Sequence, residues 1–269
     1  MVSPQPEPGE IWSKSAIYES FMGRWSRIVA REFLCWLDAP PNSRWLDVGC
    51  GTGALSEMIA KTQQPVGVKG VDSSGAFIGF AREQVTDRRV RFETGDARAL
   101  SLETAAYDAI VSGLALNFVP EPEKALREMV RVARLGGVIA VYVWDYAGKM
   151  QFLRHFWNAA AALDPAAIEL DEGRRFPLCR PGPLADLFHT ARLKEIEVVP
   201  IDAPTEFASF DDYWTPFLGG QGPAPGYARS MDEERRLALC DRIRASLPVA
   251  SDGSIQLTAR AWAVRGIRV

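Results

Sequence analysis

The chain has 269 residues, 47% of them hydrophobic and 24% charged, enough to bury a full core in one domain. A formal net charge of -3 provides no basic footprint of the kind a nucleic-acid backbone requires, so small molecules are the expected partners and nucleic acid is not. Cys35, Cys50, Cys179 and Cys240 are scattered and His155 and His189 stand alone, so neither a disulfide framework, a zinc set nor any other metal site is expected.

Residues 1–10 are rich in proline and acid and lack the positive start and apolar run of a signal peptide. No apolar run approaches the roughly 20 residues of a membrane span, so a soluble, cytoplasmic protein is expected. Helical spacing of apolar residues predicts helices over 17–22 and 25–37, broken at Gly23. Pro40-Pro41-Asn42 then turns the chain into Trp45-Leu46-Asp47-Val48-Gly49-Cys50-Gly51-Thr52-Gly53-Ala54, an apolar strand that passes an acid, breaks into alternating glycines and enters a helix. Such a loop brings bare backbone close to a ligand, because glycine adds no Cβ and tolerates positive φ. The helix that follows turns its free N–H groups and positive dipole end toward the same place. By itself this is also the description of an ordinary tight turn between strand and helix.

Strands are next predicted over 66–71, 90–94, 107–112 and 138–144, alternating with helices over 55–62, 76–85 and 122–134. Alternation of this kind predicts a parallel sheet with helices on both faces. The second strand ends at Asp72, followed by Ser73 and Ser74; a carboxylate there can accept both hydroxyls of a ribose. The third ends in Gly95-Asp96-Ala97, a carboxylate and N–H suited to the edge of an adenine, and the fourth opens with Asp108 and ends in Ser112-Gly113. Each acid alone also reads as a solvated strand end or a helix cap. At the carboxyl edge of one sheet they jointly describe an adenosine site.

The series from Leu46 to Gly53, then Val71-Asp72-Ser73-Ser74, Gly95-Asp96-Ala97, Tyr107-Asp108 and Leu135-Gly136-Gly137, resembles the motifs of class I S-adenosylmethionine-dependent methyltransferases, especially the ubiquinone and menaquinone methyltransferase-like branch. Leu135 stands where that family usually has proline, at a turn remote from the cofactor. The resemblance implies a Rossmann-like α/β fold, a seven-stranded, mostly parallel sheet with helices on both faces, whose last strand is antiparallel, and S-adenosylmethionine as cofactor. It assigns the ribose to Asp72, the adenine to Ser73, Asp96 and Ala97, and the methionyl part to Asp47, Gly49, Cys50 and Gly51. It runs the loop Ser112 to Phe118 beside the sulfonium, with Leu114 and Phe118 as lining. Tyr18, Arg24 and Trp25 are candidates to close over the cofactor; Tyr18 and Trp25 equally suit the buried stripe of two packing helices. The rival enzyme class is an NAD-dependent oxidoreductase, since Gly49, Gly51 and Ala54 also meet the dinucleotide fingerprint. Against it stand Asp47, which would crowd a pyrophosphate, and the lack of a second glycine-rich half. A non-catalytic S-adenosylmethionine-binding module is the rival outside enzymology.

One domain is expected over 1–269, with a cofactor-binding core at 15–146. Beyond it, 151–163 and 184–191 read as helices, 164–183 as irregular, and 193–201 and 255–264 as strands. The insertions at 147–183 and 207–250 are long for their connections and read as a cap over the strand ends, carrying the aromatic run at 210–217 and a charged helix at 232–247. The cap's Trp157, Tyr213, Trp214 and Phe217 suit a small apolar or aromatic methyl acceptor, or equally the cap's own core. No residue is assigned as the catalytic base. The candidates are Asp145 and Tyr146 at the tip of the fifth strand and His155 about two turns into the next helix, the last more simply a packed or surface residue.

Overall fold

The computed structural model describes residues 23–219 and 222–269. Helix α1 (Arg24–Leu37) is followed by β1 (Arg44–Val48), α2 (Ala54–Thr62), β2 (Gly67–Asp72), α3 (Gly75–Gln84), β3 (Val90–Thr94) and β4 (Tyr107–Gly113). A 3-10 turn (Leu116–Phe118) leads to α4 (Pro122–Val132) and β5 (Ala133–Trp144). Then come α5 (Gln151–Leu163), a 3-10 stretch (Pro165–Leu170), α6 (Glu172–Arg175), α7 (Pro181–Thr190) and β6 (Lys194–Phe207). Helices α8 (Phe210–Gly219), α9 (Pro223–Ser230) and α10 (Glu233–Ser246) precede the last strand, β7 (Ile255–Ile267).

The strands form one seven-stranded sheet in the order β3-β2-β1-β4-β5-β7-β6. Strands β1 to β5 pair in parallel, and β7 inserts antiparallel between β5 and β6. Parallel neighbours need crossovers, which α2, α3 and α4 provide. The chain order reverses between β1 and β4, so the loops leaving those strands diverge and open a crevice at the carboxyl edge of the sheet. The expected Rossmann-like sheet is therefore present, with its antiparallel last strand. Strand β5 is buried without interruption from Val138 to Trp144, as a central strand covered on both faces must be. Strand β7 alternates, with Ile255, Leu257, Ala259, Ala261 and Ala263 inward.

Several boundaries differ from the sequence expectation. Helix α4 stops at Val132 and β5 already begins at Ala133. The β4–β5 register jumps from Tyr107↔Ala133 to Ala109↔Val138, so Arg134 to Gly137 bulge out of the ladder. Gly136 takes φ 76°, and a Cβ on Gly137 would stand 2.8 Å from the Arg134 carbonyl oxygen; Leu135 projects into solvent, far from the strand tips. The stretch 164–183, expected to be irregular, contains the 3-10 segment, α6 and the start of α7, and the run 210–217 is helical. Strand β6 extends to Phe207, six residues past its expected end, because it pairs along the whole of β7.

The inserted helices share one aromatic core with the sheet. Phe217 stacks on Phe152 and Phe156 at 4.6 and 4.5 Å, and buried Tyr213 donates its hydroxyl to the Phe152 carbonyl at 2.7 Å. Among the described residues no helix is long and apolar enough to cross a membrane.

Candidate functional site

The three glycines after β1 serve different ends. Gly49 and Cys50 donate their N–H groups to the Val71 carbonyl at 2.7 and 3.1 Å, which fastens the loop to the neighbouring strand β2. A Cβ on Gly49 would stand 2.5 Å from the Ala115 methyl, and one on Gly53 would stand 2.8 Å from Phe92, so these two positions are filled by packing. Gly51 differs: at φ 53°, no heavy atom of the described residues beyond its chain neighbours lies within 4 Å of where its Cβ would be. This is the point at which a ligand can reach bare backbone, at the start of α2, whose first turn has no side-chain cap. Cys50 turns its sulfur down against Gly70, where an added Cβ would stand 2.9 Å from it. Burial raises its thiol pKa, so the sulfur is protonated and inert and only the Cys50 backbone belongs to the loop.

Two carboxylates flank this loop. Asp47 is buried, and its Oδ2 accepts the Ser56 hydroxyl of α2 at 2.7 Å. Its Oδ1 is buried with no hydrogen-bond partner among the described residues. Burial pushes its pKa up to about 7, against the lowering effect of Ser56 and with a smaller contribution from the charge of Asp72. Asp72, at the tip of β2, accepts the Gly51 N–H through Oδ2 and the Ser74 N–H through Oδ1, both at 2.9 Å. It holds the glycine loop against the start of α3 while keeping further lone pairs for a ligand's hydroxyls. Ser73 is exposed beside it, and the next strand's tip is tied in by the Gly95 N–H to the Asp72 carbonyl at 3.0 Å. Asp96 is less free than the sequence implied. Its side chain accepts from the backbone and guanidinium of Arg98, at 2.8 Å for each nearest contact, and those bonds lower its pKa to about 2. Ala97 is half-buried against the core. Asp108 lies at the opposite edge of the sheet, where it accepts from the Arg44 N–H and the Arg134 guanidinium and serves the scaffold.

Strand β4 ends through buried Ser112, and the loop after it places Leu114 at φ 56°, donating its N–H to the Tyr142 carbonyl at 2.8 Å. A bulky residue in this region is strained, and such strain gathers where a loop must hold a ligand-facing shape. Phe118 is 59% exposed and meets Phe176 edge-on at 5.1 Å. Between them Asn117 has a buried amide nitrogen with no partner among the described residues, a feature no motif marked.

Of the remaining sequence candidates, Tyr146 joins the Phe118–Phe176 ring pair. Trp25 is buried with its ring 5.4 Å from both Phe152 and Phe207. Tyr18 lies outside the described residues, as does the side chain of Arg24. Asp145 is buried and accepts the N–H groups of Gly148 and Lys149 at 3.0 and 2.9 Å; it shapes the turn leaving β5. Tyr146 is buried with its ring 5.8 Å from Phe176. His155 bonds through Nδ1 to the Ser246 hydroxyl of α10 at 3.0 Å. Since that hydroxyl donates to the Ile243 carbonyl, the histidine is the donor, and partial burial lowers its pKa. It joins α5 to α10.

This arrangement of strand tips and acids is matched by known proteins. Residues 46–141 match the family model described as a methyltransferase domain. The match places a methyltransferase domain over these residues, about a third of the chain, with S-adenosylmethionine as its cofactor. It is 31% identical over 130 residues to trans-aconitate 2-methyltransferase of Variovorax paradoxus, covering 48% of this chain and 49% of that protein. It is 37% identical over 105 residues to demethylmenaquinone methyltransferase of Roseiflexus castenholzii, covering 39% of this chain and 44% of that one. The chain thus spans about half the length of these curated relatives. Among solved structures, phosphoethanolamine N-methyltransferase 2 of Haemonchus contortus, in complex with S-adenosyl-L-methionine, superposes with a TM-score of 0.60. That likeness, at 16% identity over 97% of this chain and 57% of that one, concerns the fold. The antiparallel β7 between β5 and β6 separates this sheet from the 3-2-1-4-5-6 order of dinucleotide-binding Rossmann folds.

The methyltransferase domain covers little of what lies over its strand tips. There the structure reveals a buried polar cluster that the sequence reading left in an irregular stretch. Arg154 of α5 grips Asp171 with both terminal nitrogens, one at 2.8 Å, and Asp171 also accepts the Gly173 N–H. Next to it Trp157 donates its indole N–H to Glu172, whose pKa is raised by burial. Gly173 lies so close to the chain leaving β5 that a Cβ would stand 2.8 Å from the Ala147 Cα. The charged run Asp171-Glu172-Gly173-Arg174-Arg175 was visible in the sequence. That its acids turn inward was not, because their partners lie on a different helix.

Proposed function

We propose that this chain transfers a methyl group from S-adenosylmethionine to a small, apolar or aromatic molecule. The observation that carries the reading is the buried Asp47 Oδ1 without a partner, beside a loop whose Gly51 faces open space and whose hinge is the Asp72 carboxylate. An ammonium, a bare-backbone contact and a hydroxyl pair answer these three features, and the cofactor carries all three. Asp47 would take the amino group of the methionyl part, Gly49 and Gly51 its close approach, Asp72 the ribose, and Ser73 with the Asp96–Ala97 backbone the adenine. Asp96 would contribute its position more than its charge, which Arg98 already engages.

When bound, the cofactor supplies an activated methyl group as electrophile. The work left to the chain is to align the acceptor and exclude water. Ser112 and Leu114 would border the methyl. The inserted segments 147–183 and 207–250 would serve as a roof, with Phe118, Tyr146 and Phe176 as its apolar lining toward the acceptor. Asp145 and His155 are already committed to structural bonds, so the acceptor would arrive with a nucleophile that needs no strong base. Titration calorimetry with S-adenosylhomocysteine and with NAD tests the cofactor, and a labelled-methyl assay over phenols, quinols, amines and carboxylic acids tests transfer. Binding of NAD alone would overturn the reading.

A further inference from the structure

Segment 171–180 is held with unusual firmness for its length. The buried Arg154–Asp171 pair, the Trp157–Glu172 bond and the close approach of Gly173 to the Tyr146–Ala147 backbone all fix its inner side. What this fastening presents on the outer side is Arg175 and Phe176. Phe176 is half-buried and completes a row of three rings, edge-on to Phe118 and tilted against Tyr146. One ring comes from the loop leaving β4, one from the tip of β5 and one from α6's end, so the row spans the carboxyl edge of the sheet where an acceptor must approach.

The charge beside the row is unspent. Arg154 pairs with Asp171 and Arg174 with Glu169. Arg175 is exposed, its guanidinium 5.7 Å over the Phe176 ring, and makes no ion pair with any described residue. Arg180, also exposed, reaches only the Gly173 carbonyl, at 3.3 Å. A carboxylate brought to the Phe176 ring would meet the Arg175 guanidinium, while the neighbouring acids Asp171 and Glu172 point inward to Arg154 and Trp157. Locked backbone, flat apolar faces and an unpaired guanidinium together are what recognition of a flat organic anion requires.

We propose that Phe118, Tyr146 and Phe176 form the acceptor-binding face of the enzyme and that Arg175, assisted by Arg180, selects acceptors that carry a carboxylate on a planar, unsaturated or aromatic body. Phe176 is the shape-determining residue and Arg175 the charge-determining one. This rests on the methyltransferase reading, and it narrows the acceptor from apolar or aromatic molecules to acidic ones.

The test uses the full chain saturated with S-adenosylhomocysteine, titrated calorimetrically with trans-cinnamate and with its neutral isostere trans-cinnamamide. The acid is expected to bind about 10-fold or more tightly than the amide, as a desolvated charge pair allows. Arg175→Gln should bring the two to within about 3-fold of each other by weakening the acid alone, whereas Phe176→Leu should weaken both by a similar factor. Affinity for S-adenosylhomocysteine should be unchanged in both variants, which shows that they are folded. Amide binding as tight as acid binding, an unaltered preference in Arg175→Gln, or no binding of either probe to the loaded protein would overturn the proposal. Failure of S-adenosylhomocysteine itself to bind would instead overturn the function on which it rests.

Discussion

Replacing Asp47 with asparagine isolates the group on which the cofactor site turns. The native carboxyl is buried and pushed up to about 7 from an ordinary 3.8, so the folded state binds its proton more tightly than the unfolded chain does. The sign follows from that: stability is undiminished below the unfolded value near 4 and falls as pH rises through the folded value near 7. The whole interval is worth roughly 4 kcal/mol, nearly all of it lost by pH 8. Asparagine keeps an acceptor for Ser56 and has no proton to lose. Between pH 5 and 8 roughly 2–3 kcal/mol of this is lost, so the wild-type melting temperature should drop by roughly 5–8 °C more than that of Asp47→Asn. The same carboxyl is about 0.9 protonated at pH 6 and about 0.1 at pH 8. If an ammonium docks at Oδ1, calorimetry of S-adenosylhomocysteine in buffers of different ionisation enthalpy should register release of about that fraction of a proton, and Asp47→Asn should release none. Parallel melting curves for the two proteins across this pH range, or identical proton release, would refute the assignment.

The glycine loop separates binding from packing. Gly51→Ala, with open space around its Cβ but a positive φ, should cost only about 1–2 kcal/mol of stability while abolishing detectable S-adenosylhomocysteine binding; Gly49→Ala, driven against Ala115, should lose more stability, and the reverse order in urea melts would contradict the geometry. Asp72→Ala removes the acceptor for the Gly51 and Ser74 N–H groups as well as for a ribose, and should weaken cofactor-product affinity by about 100-fold; unchanged affinity by calorimetry discards Asp72 from the site. Arg154→Ala strands Asp171 without its cation at 7% exposure and should cost about 3–5 kcal/mol in chemical denaturation, with a loss below about 1 kcal/mol showing that the pair is not the fastening described.

The cofactor half was legible because its signals are local. A strand, a glycine turn and a helix start occupy consecutive residues, so Gly49 to Gly53 and the acid at Asp72 announce their backbone roles directly, and the β-α alternation leads to the sheet. The alternation of β7 marked it as a strand with two unlike faces, while its antiparallel direction was implied by the family resemblance and is seen in its pairing with β5 and β6. Less legible was a residue whose surroundings depend on a partner far along the chain. Trp25 became core because Phe152 and Phe207 arrive beside it, Asp145 became a turn acceptor, and His155 became a strut to Ser246, 91 residues away. That Asp171 and Glu172 face inward and leave Arg175 outside follows from the packing of α5 against them. Charge sign and helical period are properties of a segment, but which face of that segment is buried is set by whatever packs against it.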